Sequence, residues 1–121
     1  MENFYKKYGD VDNCPVRNIV ARFGNKWSIL ILLVLSELGT GRFTEFSRLM
    51  PDISSKVLSK ELKILEADGL INREAFAVIP PKVEYTLTKR GKSLIPLIIP
   101  LVEWAKENMK PIKKSRQQHS V

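Results

Sequence analysis

Ile53–Arg73, ISSKVLSKELKILEADGLINR, decides how the rest of the chain is read. Ser54 offers a helix N-cap and Asp68-Gly69 a stop, and a segment of strand-like composition follows. On a 3.6-residue period Lys56, Ser59, Lys60 and Lys63 project on one side, with Val57, Leu58, Leu62 and Leu65 roughly opposite. One face is apolar and anchored; the other carries ammonium and hydroxyl donors. Glu61 falls at the edge of the apolar arc, where the pattern gives it no role. Standing alone, such a lysine face is an ordinary solvated surface, so its neighbours must decide.

Upstream, Arg42-Phe43 predicts a very short strand before a helix over Thr44–Met50, where Phe43, Phe46 and Leu49/Met50 recur at helical spacing. Pro51-Asp52 breaks the pattern. Two helices joined by a tight turn, the second basic, make a helix-turn-helix. Downstream, Leu70–Val78 and Val83–Thr88 read as strands, with Val83, Tyr85 and Leu87 alternating with Glu84, Thr86 and Thr88. Ile79-Pro80-Pro81-Lys82 lies between them as a hairpin tip, because proline cannot serve central ladder positions. Lys82 at that tip is expected to reach a phosphate or a minor groove. The fold class is mainly α with a small β-hairpin (α+β), a winged helix-turn-helix.

Further out, CPVRNIVARFGN predicts a short helix with Cys14 at the N-cap, Pro15 in the first turn and Gly24 at the end. Asn25 is expected to cap a helix from Lys26 to about Leu38, apolar almost all round and so the buried centre. Thr88 caps a last helix with Leu94, Ile98, Leu101 and Ala105 on one stripe and Ile95, Ile99 and Val102 beside it. That stripe is wider than one domain contact needs, and Pro96 and Pro100 predict a bend or an interruption. The expected organisation is an arm over 1–13, a domain over 14–109 and a basic, disordered tail over 110–121.

Composition sets the bounds. A chain of 121 residues suits one domain. Lys+Arg 20 against Asp+Glu 13 gives +7 and a pI near 9.7, which favours a polyanionic partner. One cysteine and one histidine assemble neither a metal site nor an internal disulfide, so no cofactor is expected, and a reducing compartment suits the chain. The longest apolar run, Ile29–Leu35, is far short of the ~20 residues of a membrane span, and MENFYKKYGD lacks a signal core. A cytoplasmic protein without a membrane partner is the expectation. No nucleophile–base pair, paired carboxylates or glycine-rich phosphate loop supports an enzyme.

Taken together, CPV at 14–16, GNKWSILIL at 24–32, RFTEF at 42–46, IS at 53–54, LEADGLINR at 65–73, PPKVEYTLTKRG at 80–91 and Trp104 resemble the HxlR-type branch of bacterial winged-helix regulators, which is similar to the MarR group. Each piece is weak; their order and spacing are specific, and they cover nearly everything from Cys14 to Trp104. The resemblance implies a homodimeric, sequence-specific regulator of double-stranded DNA. It maps the recognition helix onto Ser54–Asp68 and the wing onto Arg73–Glu84. The N-terminal segment and the last helix are implied as the dimer interface, which takes in Leu94, Ile98, Leu101 and Trp104. Several members sense oxidants or electrophiles through a cysteine in this N-terminal motif, which makes Cys14 a candidate redox sensor; the effector itself, small molecule or oxidant, is not named by the sequence. Pro100 departs from the family pattern, and the recognition helix has no arginine, so base contacts are not carried over from relatives that use one.

A major groove admits a helix whose N-terminal half meets base edges, and Ser54, Ser55, Lys56, Ser59 and Lys60 occupy that half. Serine suits any base and lysine favours guanine acceptors, so the set is permissive. Lys63, one turn on, is expected at a phosphate, with Arg42 and Arg48 holding the backbone and Arg73, at the start of the wing, a further DNA-binding candidate. Arg17, Arg22 and Lys26 read as surface cover, and Trp27 and Trp104 as core and interface aromatics rather than an effector pocket. For Cys14 a helix N-terminus and Arg17 favour a thiolate; the alternative is a half-buried small apolar residue. The rival to a DNA-binding reading is a winged-helix protein–protein module, which needs no basic recognition face.

Overall fold

The apolar run around Ile31 becomes the centre of the molecule. The computed structural model describes residues 2–119, with side chains from Lys6 onward. In chain order the elements are α1 (Glu2–Gly9), α2 (Pro15–Phe23), α3 (Ser28–Leu38), β1 (Thr40–Gly41), α4 (Phe43–Leu49), α5 (Ser55–Ala67), β2 (Ile71–Phe76), β3 (Lys82–Leu87) and α6 (Lys89–Gln118). The sheet is antiparallel in the order β1-β3-β2. Ile31, Leu32 and Leu35 of α3 meet Phe46 of α4, Leu58, Leu62 and Leu65 of α5, and Ile71, Tyr85 and Leu87 of the sheet in one core. A mainly α winged helix-turn-helix is therefore the observed architecture.

Local chemistry places the element ends. Ser54 Oγ accepts from Val57 N at 3.2 Å and opens α5; Gly69, at φ +74°, closes it in a conformation that costs glycine nothing. Thr88 Oγ1 accepts from Gly91 N at 3.0 Å and donates to Gly69 O at 2.7 Å, so one hydroxyl ties the start of α6 to the end of α5. A Cβ at Gly91 would lie 2.2 Å from Leu70 O, so this close docking needs glycine.

Four expectations shift. The short strand falls on Thr40–Gly41, because Arg42 becomes the N-cap of α4 with its N–H held by Glu45 Oε1 at 3.0 Å. Helix α3 starts at Ser28, with Asn25 Oδ1 still accepting from the N–H groups of Trp27 and Ser28. The arm is helical over Glu2–Gly9. Helix α6 runs uninterrupted for 30 residues through Pro96, Pro100 and Pro111, which replaces the expected disordered tail as far as Gln118; Ser120 and Val121 lie outside the described residues. Each proline removes one N–H, and the helix formers between them, with basic residues complementing the C-terminal dipole, keep the rest. Among the described residues no single helix is long and apolar enough to cross a membrane.

Candidate nucleic-acid interface

Helix α5 is held by one side only. Leu58, Leu62 and Leu65 are buried, while Ser54, Ser55, Lys56, Lys60 and Lys63 are exposed and Ser59 is half-buried. None of the three lysines has an acid within ion-pair distance among the described residues. Glu61, unexplained by the sequence pattern, turns inward. Its Oε2 lies 3.5 Å from the hydroxyl of Ser28, a residue only 1% exposed that also receives Asn25 Nδ2 at 2.6 Å. A carboxylate beside the N-terminus of α3 suits that helix dipole and leaves Lys56 and Lys60 with no acid one turn away within α5.

Arg42 and Arg48 are exposed at either end of α4. Arg17, Arg22 and Lys26 are engaged within the chain. Arg17 Nε donates to Tyr8 O, Arg22 Nε is 3.9 Å from Asp68 Oδ2, and Lys26 Nζ is 3.3 Å from Asp52 Oδ2 and 4.7 Å from the Trp27 ring.

The wing departs from its sequence reading. Arg73 pairs in register with Tyr85, on the sheet face shared with Ile71 and Leu87. Lys82 is not at the tip but opens β3 on the opposite face, across from Phe76. Its Nζ is 2.9 Å from Glu84 Oε1 and 5.2 Å from the Phe76 ring centroid. Glu74 stands directly opposite Glu84 on that face. Strand alternation puts residues i and i+2 together, and that rule delivers Lys82 to an acid. The exposed end of the hairpin is apolar, with Val78 and Ile79 outward.

Between α5 and the sheet lies a hollow of about 290 Å³ lined by Ser59, Leu62, Lys63, Glu66, Arg73 and Tyr85. The sequence reading places Ser59, Lys63 and Arg73 at DNA but assigns nothing to Glu66 or Tyr85. The register Arg73↔Tyr85 and the one-turn spacing of Lys63 and Glu66 were the available signals.

The expected dimer residues divide. Leu94 packs on the core and Ile98 is 5% exposed within its own chain, so these two serve the domain. Leu101 and Trp104 stay exposed, joined by Leu97 at 73%. On α2, Val16, Ile19 and Val20 are likewise exposed. Trp27 packs against the core, unlike Trp104. Cys14 caps α2 without a side-chain hydrogen bond to it, its N–H donating to Asp10 O at 3.1 Å, and is 2% exposed. It is buried more fully than either sequence reading expects.

A family model described as HxlR-like helix-turn-helix matches residues 22–113. An HTH-type transcriptional regulator of Methanothermobacter thermautotrophicus is 45% identical over 93 residues, 77% of this chain and 70% of that protein. The redox regulator HypR in its reduced form superposes with a TM-score of 0.77 at 36% identity, covering 83% of this chain and 98% of that one. The reduced form of the transcriptional regulator YodB from B. subtilis superposes with a TM-score of 0.70 at 34% identity, covering 81% and 96%.

Proposed function

The chain belongs to the HxlR-like helix-turn-helix family of transcriptional regulators, and on that footing we propose that it binds an inverted-repeat site in double-stranded DNA as a homodimer, with α5 in the major groove. One observation carries this reading: Lys56, Lys60 and Lys63 share an exposed face of α5 and have no ion-pair partner among the described residues. Cations left unpaired within the chain are free to displace counterions from a phosphate backbone. Ser54, Ser55, Lys56, Ser59 and Lys60 meet base edges; Lys63, Arg42, Arg48 and Arg73 set the register on phosphates. Twofold symmetry puts the two α5 helices ~34–36 Å apart. Leu97, Leu101 and Trp104 of α6, with Val16, Ile19 and Val20 of α2, supply apolar surface for the second copy. The site of action is the cytoplasm.

The reading includes a thiol response at Cys14, supported by its position at the N-cap of α2 and by the redox regulator among the structural neighbours. As the chain's one cysteine, it would join only a second Cys14 or an external thiol. Its burial means that an oxidant reaches the thiol only when the chain around it opens. Diamide should therefore change DNA binding of the wild type and leave Cys14→Ser unaltered; an equal response in both removes the switch.

The primary test is retention on heparin followed by a gel shift with the DNA upstream of the protein's own gene. Binding that weakens with salt at a log–log slope of roughly −5, for on the order of six phosphate contacts per dimer, is the expected result. No shift at low salt would transfer the reading to a protein–protein module.

A further inference from the structure

We infer that the hollow between α5 and the wing is a phosphate seat in which the Tyr85 hydroxyl is the fixed donor and Lys63 and Arg73 supply the charge. The inference deepens the DNA-binding reading and rests on it for the source of the phosphate, though not for the chemistry of the seat.

Tyr85 is the residue that demands explanation. It is 8% exposed, and its ring stands edge-on to Phe46 in the core, centroids 6.1 Å apart and planes at 77°. Phenylalanine would fill that place equally well. The hydroxyl has no hydrogen-bond partner among the described residues, whereas buried tyrosine hydroxyls usually find one. Every fully enclosed side-chain nitrogen or oxygen among the described residues is bonded, so the Tyr85 oxygen is not sealed in. The hollow it lines is its way out.

The other donors at the hollow are equally unspent. The Ser59 hydroxyl, the Lys63 ammonium and the Arg73 guanidinium have no partner among the described residues. Ser59 and Lys63 are one turn apart on α5, and Arg73 stands beside Tyr85 in the β2–β3 register. Three elements thus bring two cations and two neutral donors to one concavity. Glu66 lines it too and offsets one of the charges. The net field on an anion is modest, so the seat selects a group with several acceptor oxygens, able to take the hydroxyls as well as the cations. A phosphodiester or a free phosphate has that form; a simple anion held by charge alone does not. Because the core fixes the Tyr85 ring, its hydroxyl is already in place when phosphate arrives, with little ordering left to do.

The test uses Tyr85→Phe, which removes one oxygen and keeps the ring against Phe46. It should bind operator and non-operator duplexes about tenfold more weakly, with an unchanged melting temperature and an unchanged salt slope, since no charge is lost. Lys63→Gln should lower the slope by about one. Duplexes carrying a single neutral methylphosphonate should reveal one position that weakens wild type more than it weakens Tyr85→Phe, which keeps only the Lys63 and Arg73 contacts there to lose. Wild-type affinity of Tyr85→Phe on every duplex would overturn the seat. If wild type binds no duplex at all, the DNA-binding reading falls and inorganic phosphate decides: saturable amide shifts at Ser59–Lys63 and Arg73, absent in Tyr85→Phe, uphold the seat, and no shifts overturn it. Such shifts together with indifference to every methylphosphonate would overturn the backbone assignment and leave a free phosphate as the ligand.

Discussion

Helix α5 and the wing carry the same kind of residue and use it in opposite ways. On α5, Lys56 and Lys60 find only lysine, serine or apolar neighbours one turn away within the helix, and Glu61 is drawn inward toward Ser28. Their charge is therefore available. In the wing, Lys82 lies over Phe76 and against Glu84, and Glu74 adds a second acid on the same face. Its charge is already answered. The difference arises from period rather than composition. A 3.6-residue repeat keeps the acids of α5 away from Lys56 and Lys60, whereas a two-residue repeat returns Glu84 to the side of Lys82. A basic count is thus a poor guide to free charge until the periodicity of each element is applied.

The sharpest way to break this comparison is at α5. Lys60→Ala should weaken operator binding by about 1–3 kcal/mol, roughly fivefold or more, with thermal stability unchanged because the side chain is exposed and unpaired. Competition gel shifts read the first effect and a thermal melt the second. Unaltered affinity would show that the free lysine face is only solvated. Arg73→Gln comes next: a contact to phosphate alone should lower affinity for every duplex alike and flatten the salt slope by about one. A change confined to the operator would instead make Arg73 a base reader.

Much of the fold was legible because it is written locally. Ser54, Gly69 and Thr88 act on backbone groups within a few residues, so cap rules find them. The all-round apolar character of α3 likewise announces the core. What was not legible depends on residues far apart in the chain. Glu61 is explained only by Ser28, 33 positions away. Tyr85 reads as one more inward strand residue until β2 sets Arg73 beside it and α5 brings Ser59 and Lys63 across from it. Ile98 reads as interface because periodicity identifies an apolar face but not which part of it the same chain covers. The basic run after Lys110 has the composition of a tail, yet Met109 and Ile112 extend the apolar side of α6, and the helix carries the lysines with it.

The smallest expected effects lie in the wing, and their smallness is the prediction. The Lys82–Glu84 pair is partly exposed, and pairs of that kind are worth about 0–1 kcal/mol. A phosphate reaching Lys82 must displace Glu84, so much of the gain is cancelled before it registers. Lys82→Ala should lower affinity by no more than about threefold, within that same 0–1 kcal/mol range. Glu84→Gln should raise affinity by a similar factor, because it frees Lys82 and relieves the carboxylate facing Glu74. The two changes are coupled through one contact, so Lys82→Ala made on Glu84→Gln should cost more than Lys82→Ala alone. A double-mutant cycle on operator affinity reads this directly. Additive effects would mean that Glu84 does not hold Lys82 back and that the wing lysine is as free as those of α5.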